Sequence, residues 1–295
     1  MELAELEIFR AVATEQSITR AARLLDRVQS NVTTRVKQLE EALGVALFQR
    51  DSKRMLLTPE GHRLLAYANQ MLALAEEARQ SVQGAAPSGR LRIGTMESAA
   101  ANRLPMPLAR FHAAWPGVEI EIRTGTTRAL VDAVLDHRLD CAVVAHPGEG
   151  PARAADMDEL APGLEGTYLF TEHLQLVLPG SHPKARGPQD VALRRLAAFP
   201  KGCTYRQCAE AWLAQGSDDM RQRLAITEMP SYHAMLACVS AGTAMAILPR
   251  SLLALHRDAV DVQTVPVRAV HTYIVKRAGY ATQACDAFVR ELRDG

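Results

Sequence analysis

The chain has 295 residues, 48% hydrophobic and 23% charged, with a formal net charge of +1. That length predicts two or three domains with sizeable cores, and no apolar run approaches the ~18 residues that a membrane helix needs. The near-zero balance gives no global attraction to nucleic acid. The cysteines, Cys141, Cys203, Cys208, Cys238 and Cys285, form neither a disulfide framework nor a zinc-ligand spacing, so no metal or cofactor is expected.

The opening segment, MELAELEIF, is acidic and amphipathic. It lacks the basic and apolar blocks of a secretion signal, which predicts a cytoplasmic protein. Residues 2–15 are predicted helical, burying Leu6, Phe9, Val12 and Ala13, with Glu2, Glu5 and Glu7 near the positive end. Residues 17–40 read as two short helices joined by a tight turn. Ser17 and Thr19 are candidate caps of the first, and Ala21, Ala22, Leu24 and Leu25 its buried face. The second starts near Gln29 and Ser30 and buries Val32, Val36 and Leu39. Its other face holds Gln29, Ser30, Asn31, Thr33, Thr34 and Arg35. Short polar groups reach base edges, and a guanidinium can fork onto guanine, so this is the equipment of a recognition helix. Any helical hairpin can look similar, and the flanking sequence decides.

Residues 47–61 read as a short hairpin with a basic tip, then a helix start with Thr58 as cap and Pro59 at the first helical position. Between Ser17 and Leu57, Arg20, Arg23, Arg27, Arg35, Lys37, Arg50, Lys53 and Arg54 outnumber Asp26, Glu40, Glu41 and Asp51. That excess suits a DNA face, although an ordinary solvated surface would tolerate it. The pattern is a winged helix-turn-helix. Base contacts are expected from Ser30, Asn31, Thr33, Thr34 and Arg35. Phosphate contacts are expected from Arg50, Lys53, Arg54 and the amides near Gln29, with Thr19 and Arg20 on the same side.

From Pro59 to about Gly84 runs a long predicted helix. Leu64, Ala68, Met71, Ala75, Ala78 and Val82 repeat as a heptad seam, which argues for pairing between two subunits. The alternative is one amphipathic helix packed on its own domain. Gly84–Gly89 is a run of breakers and small residues and marks the domain boundary. Then strands are predicted at 91–94, 118–123 and 139–144, with helices from the 95–98 loop to Ala114 and from Thr127 to His137. This β-α-β-α-β order implies a parallel sheet with ligands beyond the carboxyl ends of its strands. Residues 146–163 read as a loop. Further strands are expected at 166–170 and 174–179, split by Thr171-Glu172-His173. A short helix is expected at 191–196, a helix from Gly202 to about Gln215, and a strand at 223–228. A helix at 231–241, strands at 244–249 and 272–275, and a helix at 281–293 complete the reading.

The motifs closely resemble those of the LysR-type transcriptional regulators. The residues carrying the likeness are Ile8, Phe9 and Val12; Ser17-Ile18-Thr19-Arg20-Ala21-Ala22; Gln29-Ser30-Asn31-Val32-Thr33; Leu39-Glu40-Glu41-Ala42-Leu43-Gly44; Leu47-Phe48-Gln49-Arg50; and Leu57-Thr58-Pro59-Glu60-Gly61. Val28 stands where the family usually has Ser, which leaves the cap of the second helix open by a residue. The resemblance implies an N-terminal winged helix-turn-helix, all-α in class, with a long linker helix. An α/β two-lobed effector domain, like a periplasmic binding protein, would follow. Boundaries are expected at 1–58 for the DNA-binding domain and 59–87 for the dimerising linker and hinge. Lobe I would take 88–165 plus 268–295, and lobe II 166–267, with crossings near 165 and 267. The implied partners are double-stranded DNA carrying an inverted repeat, a small-molecule effector, RNA polymerase and further copies of the chain as a dimer of dimers, with no membrane.

Three loops are expected to converge on an effector: Met96, Glu97 and Ser98; Thr126 with its neighbours; and Cys203, Thr204 and Tyr205. Ser231 and Thr243 are weaker candidates on the second lobe. Hydroxyls beside helix N-termini make a small organic anion the default, whereas the Glu97 carboxylate suits an amine and leaves a zwitterion or polyamine open. Plain helix capping is the competing explanation for each loop. Cys203 lies near a helix start with Arg206 close by, conditions that lower a thiol pKa, so a redox-sensing variant through Cys203 and Cys208 is a further reading. A cysteine-dependent enzyme has no local signature, and a secreted solute-binding protein leaves the first 84 residues unexplained. The sequence therefore points to a regulator and not an enzyme.

Overall fold

A computed structural model describes residues 1–51, 54–82, 86–146, 157, 160–255 and 261–293. The chain divides into two compact units. One is Met1–Gly84 with Asp136–Arg138, and the other is Ala85–Leu135 with Leu139–Gly295.

The first unit comprises helices α1 (Leu3–Glu15), α2 (Ile18–Leu24) and α3 (Gln29–Leu43), a hairpin of β1 (Phe48–Asp51) and β2 (Arg54–Leu57), and helix α4 (Pro59–Val82). α1 is central. It buries Leu6, Ile8, Phe9, Ala11 and Val12 because α2, α3 and α4 all pack on it, whereas Ala13 is half-buried. Ser17 caps α2 by accepting from the Arg20 amide at 3.3 Å, and Thr19 lies inside the helix. Leu24 is 65% exposed, contrary to expectation. The buried stripe runs Ile18, Ala21, Ala22, Leu25 at i, i+3, i+4, i+7, and Leu24 falls outside it. Val28 is the N-cap of α3 and supplies no side-chain hydrogen bond.

The hairpin is held from both sides. Glu40 Oε1 accepts from the Leu47 and Phe48 amides at 2.7 and 3.1 Å, which ties the wing to α3. The Met55 amide donates to the Gln16 carbonyl at 3.0 Å. Thr58 Oγ1 accepts from the Gly61 amide at 3.0 Å, as a helix cap should. A Cβ on Gly61 would sit 2.2 Å from the Leu47 carbonyl oxygen, so the wing and the start of α4 approach too closely for a side chain.

The heptad seam needs correction. Leu64 and Ala68 pack into the core of their own unit and Ala75 is half-buried, whereas Met71, Ala78 and Val82 are exposed. The large apolar side chains exposed on α4 are Tyr67, Met71, Leu74 and Val82.

The second unit holds one eight-stranded sheet. Its elements are β3 (Gly89–Thr95), α5 (Glu97–Asn102), α6 (Pro105–Ala114), β4 (Val118–Thr124), α7 (Thr127–Leu135), β5 (Cys141–His146), β6 (Leu164–Pro179), β7 (Arg195–Ala198), α8 (Thr204–Leu213), α9 (Asp218–Arg223), β8 (Ala225–Glu228), α10 (Tyr232–Ser240), β9 (Met245–Pro249), α11 (Arg250–Ala254), β10 (Val262–Arg277) and α12 (Gln283–Arg293). The strand order is β4-β3-β5-β10-β6-β9-β7-β8. β3 is parallel to β4 and β5, and β7 is parallel to β8 and β9. Each trio is the sheet of one lobe. The antiparallel strands β6 and β10 run from one lobe into the other, paired from Leu164↔Arg277 to Pro179↔Val262. The lobes are thus joined along these two strands.

Several expected elements differ. The helix after residue 95 breaks at Arg103 and Leu104, before Pro105, whose ring forbids a continuous helix. The expected split at Thr171-Glu172-His173 is absent, because Thr171 and Glu172 are partnered inside the strand. Glu172 accepts from Arg103 at 3.0 Å and from Ser251 at 2.8 Å, and Thr171 meets His271 at 2.8 Å. Residues 191–194 belong to no helix, and Arg195 and Leu196 open β7. The Arg194 guanidinium bonds the carbonyls of Val191 and Ala192, and Leu196 and Ala197 are buried in the parallel sheet. β10 is far longer than the expected 272–275. Its register shift beside Pro266 accommodates a residue with no N–H to donate. The short helices α9 and α11 were not anticipated. Most of the 146–163 loop, residues 147–156 with 158 and 159, lies outside the described residues.

Candidate functional site

Two faces carry chemistry, one in each unit. On α3, Gln29, Ser30, Asn31, Thr33, Thr34 and Arg35 are all exposed, opposite the buried Val32, Val36 and Leu39. Thr19 on α2 donates to Gln29 Oε1 at 3.3 Å, so the two helices of the motif share a polar junction. Thr33 donates to the Gln29 carbonyl at 3.0 Å. Arg20 is paired with Glu15 at 3.0 Å, and Arg35 lies 3.9 Å from Glu5 on α1. Both guanidiniums are near half exposure or above, so these pairs are weak and can be exchanged for phosphate or base oxygens. Arg54 is exposed at the start of β2. The side chain of Arg50 and all of Lys53 lie outside the described residues.

In the second unit a cleft of about 400 Å³ opens between the lobes. It is lined by Met96, Glu97, Thr124, Gly125, Thr126 and Thr127 from one lobe. Phe199, Pro200, Cys203, Tyr205, Pro230 and Tyr232 line it from the other. These residues follow the carboxyl ends of β3, β4, β7 and β8, where parallel strands hand over to helices. The three expected loops therefore meet. The reading missed Thr124, Phe199, Pro200, Pro230 and Tyr232. The signal that could have found them is their place just after, or at, a strand's carboxyl end.

Several expected contacts are otherwise engaged. The Thr204 hydroxyl is 3.0 Å from both the Ala145 carbonyl and the Thr127 hydroxyl, so it joins the lobes under the cleft. Ser98 is buried and is not among the lining residues. Ser231 caps α10 by accepting from the Ala234 amide at 3.2 Å. Thr243 is exposed away from the cleft and donates to the Cys238 carbonyl at 3.0 Å. Glu97 Oε1 accepts from the Tyr232 amide at 3.4 Å. Burial pushes its carboxyl pKa up, against the pull of that amide and of His233. Burial also raises the Tyr205 and Tyr232 phenols, so both are neutral at physiological pH.

The thiols behave opposite to expectation. Burial pushes the Cys203 pKa up and outweighs the Arg206 and Tyr205 amides and the Arg206 charge. Cys208 is likewise raised by burial. A protonated thiol is a poor nucleophile, so burial disfavours a redox switch here. Among the described residues no cluster of His, Cys, Asp and Glu could hold a metal ion, and no helix is long and apolar enough to cross a membrane.

A winged helix-turn-helix joined to a two-lobed binding fold with a cleft at its strand ends defines a DNA-binding regulator with an effector-binding domain. Residues 3–62 match the bacterial regulatory helix-turn-helix protein model of the lysR family, and residues 84–295 match the LysR substrate binding domain. The chain belongs to the LysR-type transcriptional regulators. Its relatives include the HTH-type transcriptional regulator GltR of Bacillus subtilis, 33% identical over 100% of this chain and 97% of that one. The HTH-type transcriptional regulator YofA of the same organism is 34% identical over 100% and 99%. Among solved structures, a full-length OxyR variant from Pseudomonas aeruginosa has a TM-score of 0.72 at 23% identity, covering 99% of this chain and 95% of that one. CbnR, a LysR family transcriptional regulator, gives 0.66 at 22%, covering 100% and 99%.

Proposed function

We propose that this cytoplasmic regulator reads an inverted-repeat operator with paired α3 helices, and that a small organic effector held in the inter-lobe cleft sets the spacing of those helices. The observation that carries the effector reading is the meeting of Glu97, Thr126, Cys203 and Tyr232, from both lobes, around one cleft. A molecule touching both lobes favours one relation between them, and that preference is the coupling free energy that regulation requires. Ser30, Asn31, Thr33, Thr34 and Arg35 supply base contacts. Thr19, Arg20, Gln29, Arg50, Lys53 and Arg54 hold the phosphates. Tyr67, Met71, Leu74 and Val82 on α4 supply an apolar stripe for a second copy, and two such dimers form the tetramer. The role is regulatory and not catalytic, with contact to RNA polymerase at the promoter. Effector-binding contacts are assigned to Met96, Glu97, Thr126, Cys203 and Tyr205, with Ser98 and Thr204 supporting them from beneath.

The test is enrichment of genomic fragments on the purified protein at fixed salt, followed by footprinting with and without cell-extract metabolites. A protected inverted repeat whose boundaries shift with the small-molecule fraction supports the reading. A footprint unchanged by every fraction removes the effector-gating part of it.

A further inference from the structure

The cleft assigned above to an effector has one formally charged side chain among its described lining residues, the carboxylate of Glu97. No Lys, Arg or His is among those lining residues. Glu97 Oε2 is buried without a hydrogen-bond partner, and the Tyr232 amide reaches Oε1 only at 3.4 Å. A carboxylate so poorly solvated gains from a cationic partner. Two of the hydroxyls that would favour an anion, those of Thr204 and Thr127, are engaged as donors. Thr204 faces the Ala145 carbonyl and Thr127 faces the Met96 sulfur at 3.9 Å, whereas Thr126 and Ser231 accept helix amides and keep their own O–H to donate. Around Glu97 stand aromatic walls. Phe199 and Tyr232 pack edge to face with centroids 4.9 Å apart, and Tyr205 lines the same cleft. A carboxylate beside aromatic faces is the chemistry that recognises an organic ammonium, through an ion pair and cation–π attraction.

We propose that the effector carries a protonated amine that docks on Glu97, with its apolar body against Phe199, Tyr205 and Tyr232. The effector class is an amine or amino acid, and not a simple organic anion. This rests on the cleft being the effector site.

Calorimetric titration of the full chain with matched probes tests it. One set is phenethylamine, phenylalanine and 3-phenylpropionate, and another is pentylamine, norleucine and hexanoate. Each set shares an apolar body and varies the charged end. Ammonium-bearing probes are expected to bind and the plain acids not. Glu97→Gln should weaken binding by about ten- to a hundredfold, the usual range for a lost charge-assisted hydrogen bond. Thr126→Trp, which fills the cleft, should abolish it. An acid that binds as tightly as its amine overturns the proposal, and so does an unchanged affinity in Glu97→Gln or no ammonium-bearing probe binding at millimolar concentration. The wild-type comparison of amine with acid decides the matter if Glu97→Gln does not fold. An acid lost in Thr126→Trp leaves the cleft standing and removes the ammonium claim. Binding that survives Thr126→Trp removes the cleft itself as the site.

Discussion

The backbone amide of Arg128 donates to the carbonyl oxygen of Gly202 at 3.1 Å, which fastens the first turn of α7 in one lobe to the loop before α8 in the other. Gly202 has φ of +94°, and a Cβ on it would lie 2.8 Å from Arg128 Cβ. Gly202→Ala is therefore expected to strain the backbone and push the lobes apart. The expected cost is about 1–3 kcal/mol of stability, read by denaturant unfolding, with a larger radius of gyration for the effector-binding domain. Unchanged values for both would mean that the lobes are not held together at this point.

A second link sits where β6 leaves one lobe for the other. The Glu172 carboxylate is buried, accepts from Arg103 and Ser251, and Asn102 donates to Ser251 at 2.8 Å. Arg103 also stacks over Phe170, 4.6 Å from the ring centroid. Arg103→Ala leaves a buried charge with one hydroxyl partner. Because Arg103 is partly exposed, the expected loss is about 1–3 kcal/mol, and replacing Arg103 and Glu172 together by apolar residues should cost less. Equal losses in the single and double variants would contradict the coupling.

The cysteines give a chemical readout. Because burial holds the Cys203 and Cys208 thiols above the ordinary value of 9.0, the thiolate fraction at neutral pH is smaller than in a free cysteine. Alkylation of the native protein at pH 7 is expected to run slower than that of glutathione. Cys203→Ser should respond to peroxide as the wild type does. Rapid, peroxide-sensitive modification of Cys203 would reinstate the redox reading.

Glu97 gives a pH readout in the unliganded protein. Its folded-state pKa lies above the ordinary 4.5, with burial the leading cause. A raised acid supports folding below its unfolded value, and that support is lost as pH rises through the folded value. Between about pH 4.5 and neutrality the wild type should lose stability relative to Glu97→Gln. Thermal unfolding of both proteins across that range checks it, and parallel curves would contradict the assignment.

Most of the first unit was legible because its signals are local. Ser17 and Thr58 cap helices within three residues of themselves, and Val32, Val36 and Leu39 set the face of α3 by helical period. The three cleft loops were legible for a similar reason, since each follows a strand of a parallel sheet. What escaped was decided by distant partners. Glu172 reads as a loop residue until Arg103 and Ser251 are placed beside it. Leu64 and Ala68 fit a heptad equally well whether they face a second subunit or their own core. Cys203 has the sequence neighbours of a reactive thiol, but burial, which no local motif reveals, reverses its pKa.

The most direct test of the DNA-reading claim is selection of randomised inverted-repeat duplexes by the full chain, at two salt concentrations, with Asn31→Ala and Arg54→Ala beside the wild type. Asn31 is exposed on the polar face of α3 and Arg54 at the start of β2. The Asn31 variant should lose preference at one or two positions per half-site, at about 1–3 kcal/mol. The Arg54 variant should bind all sequences more weakly and lower the salt slope by about 1. Equal, sequence-independent losses in both variants would contradict α3 as the reading helix.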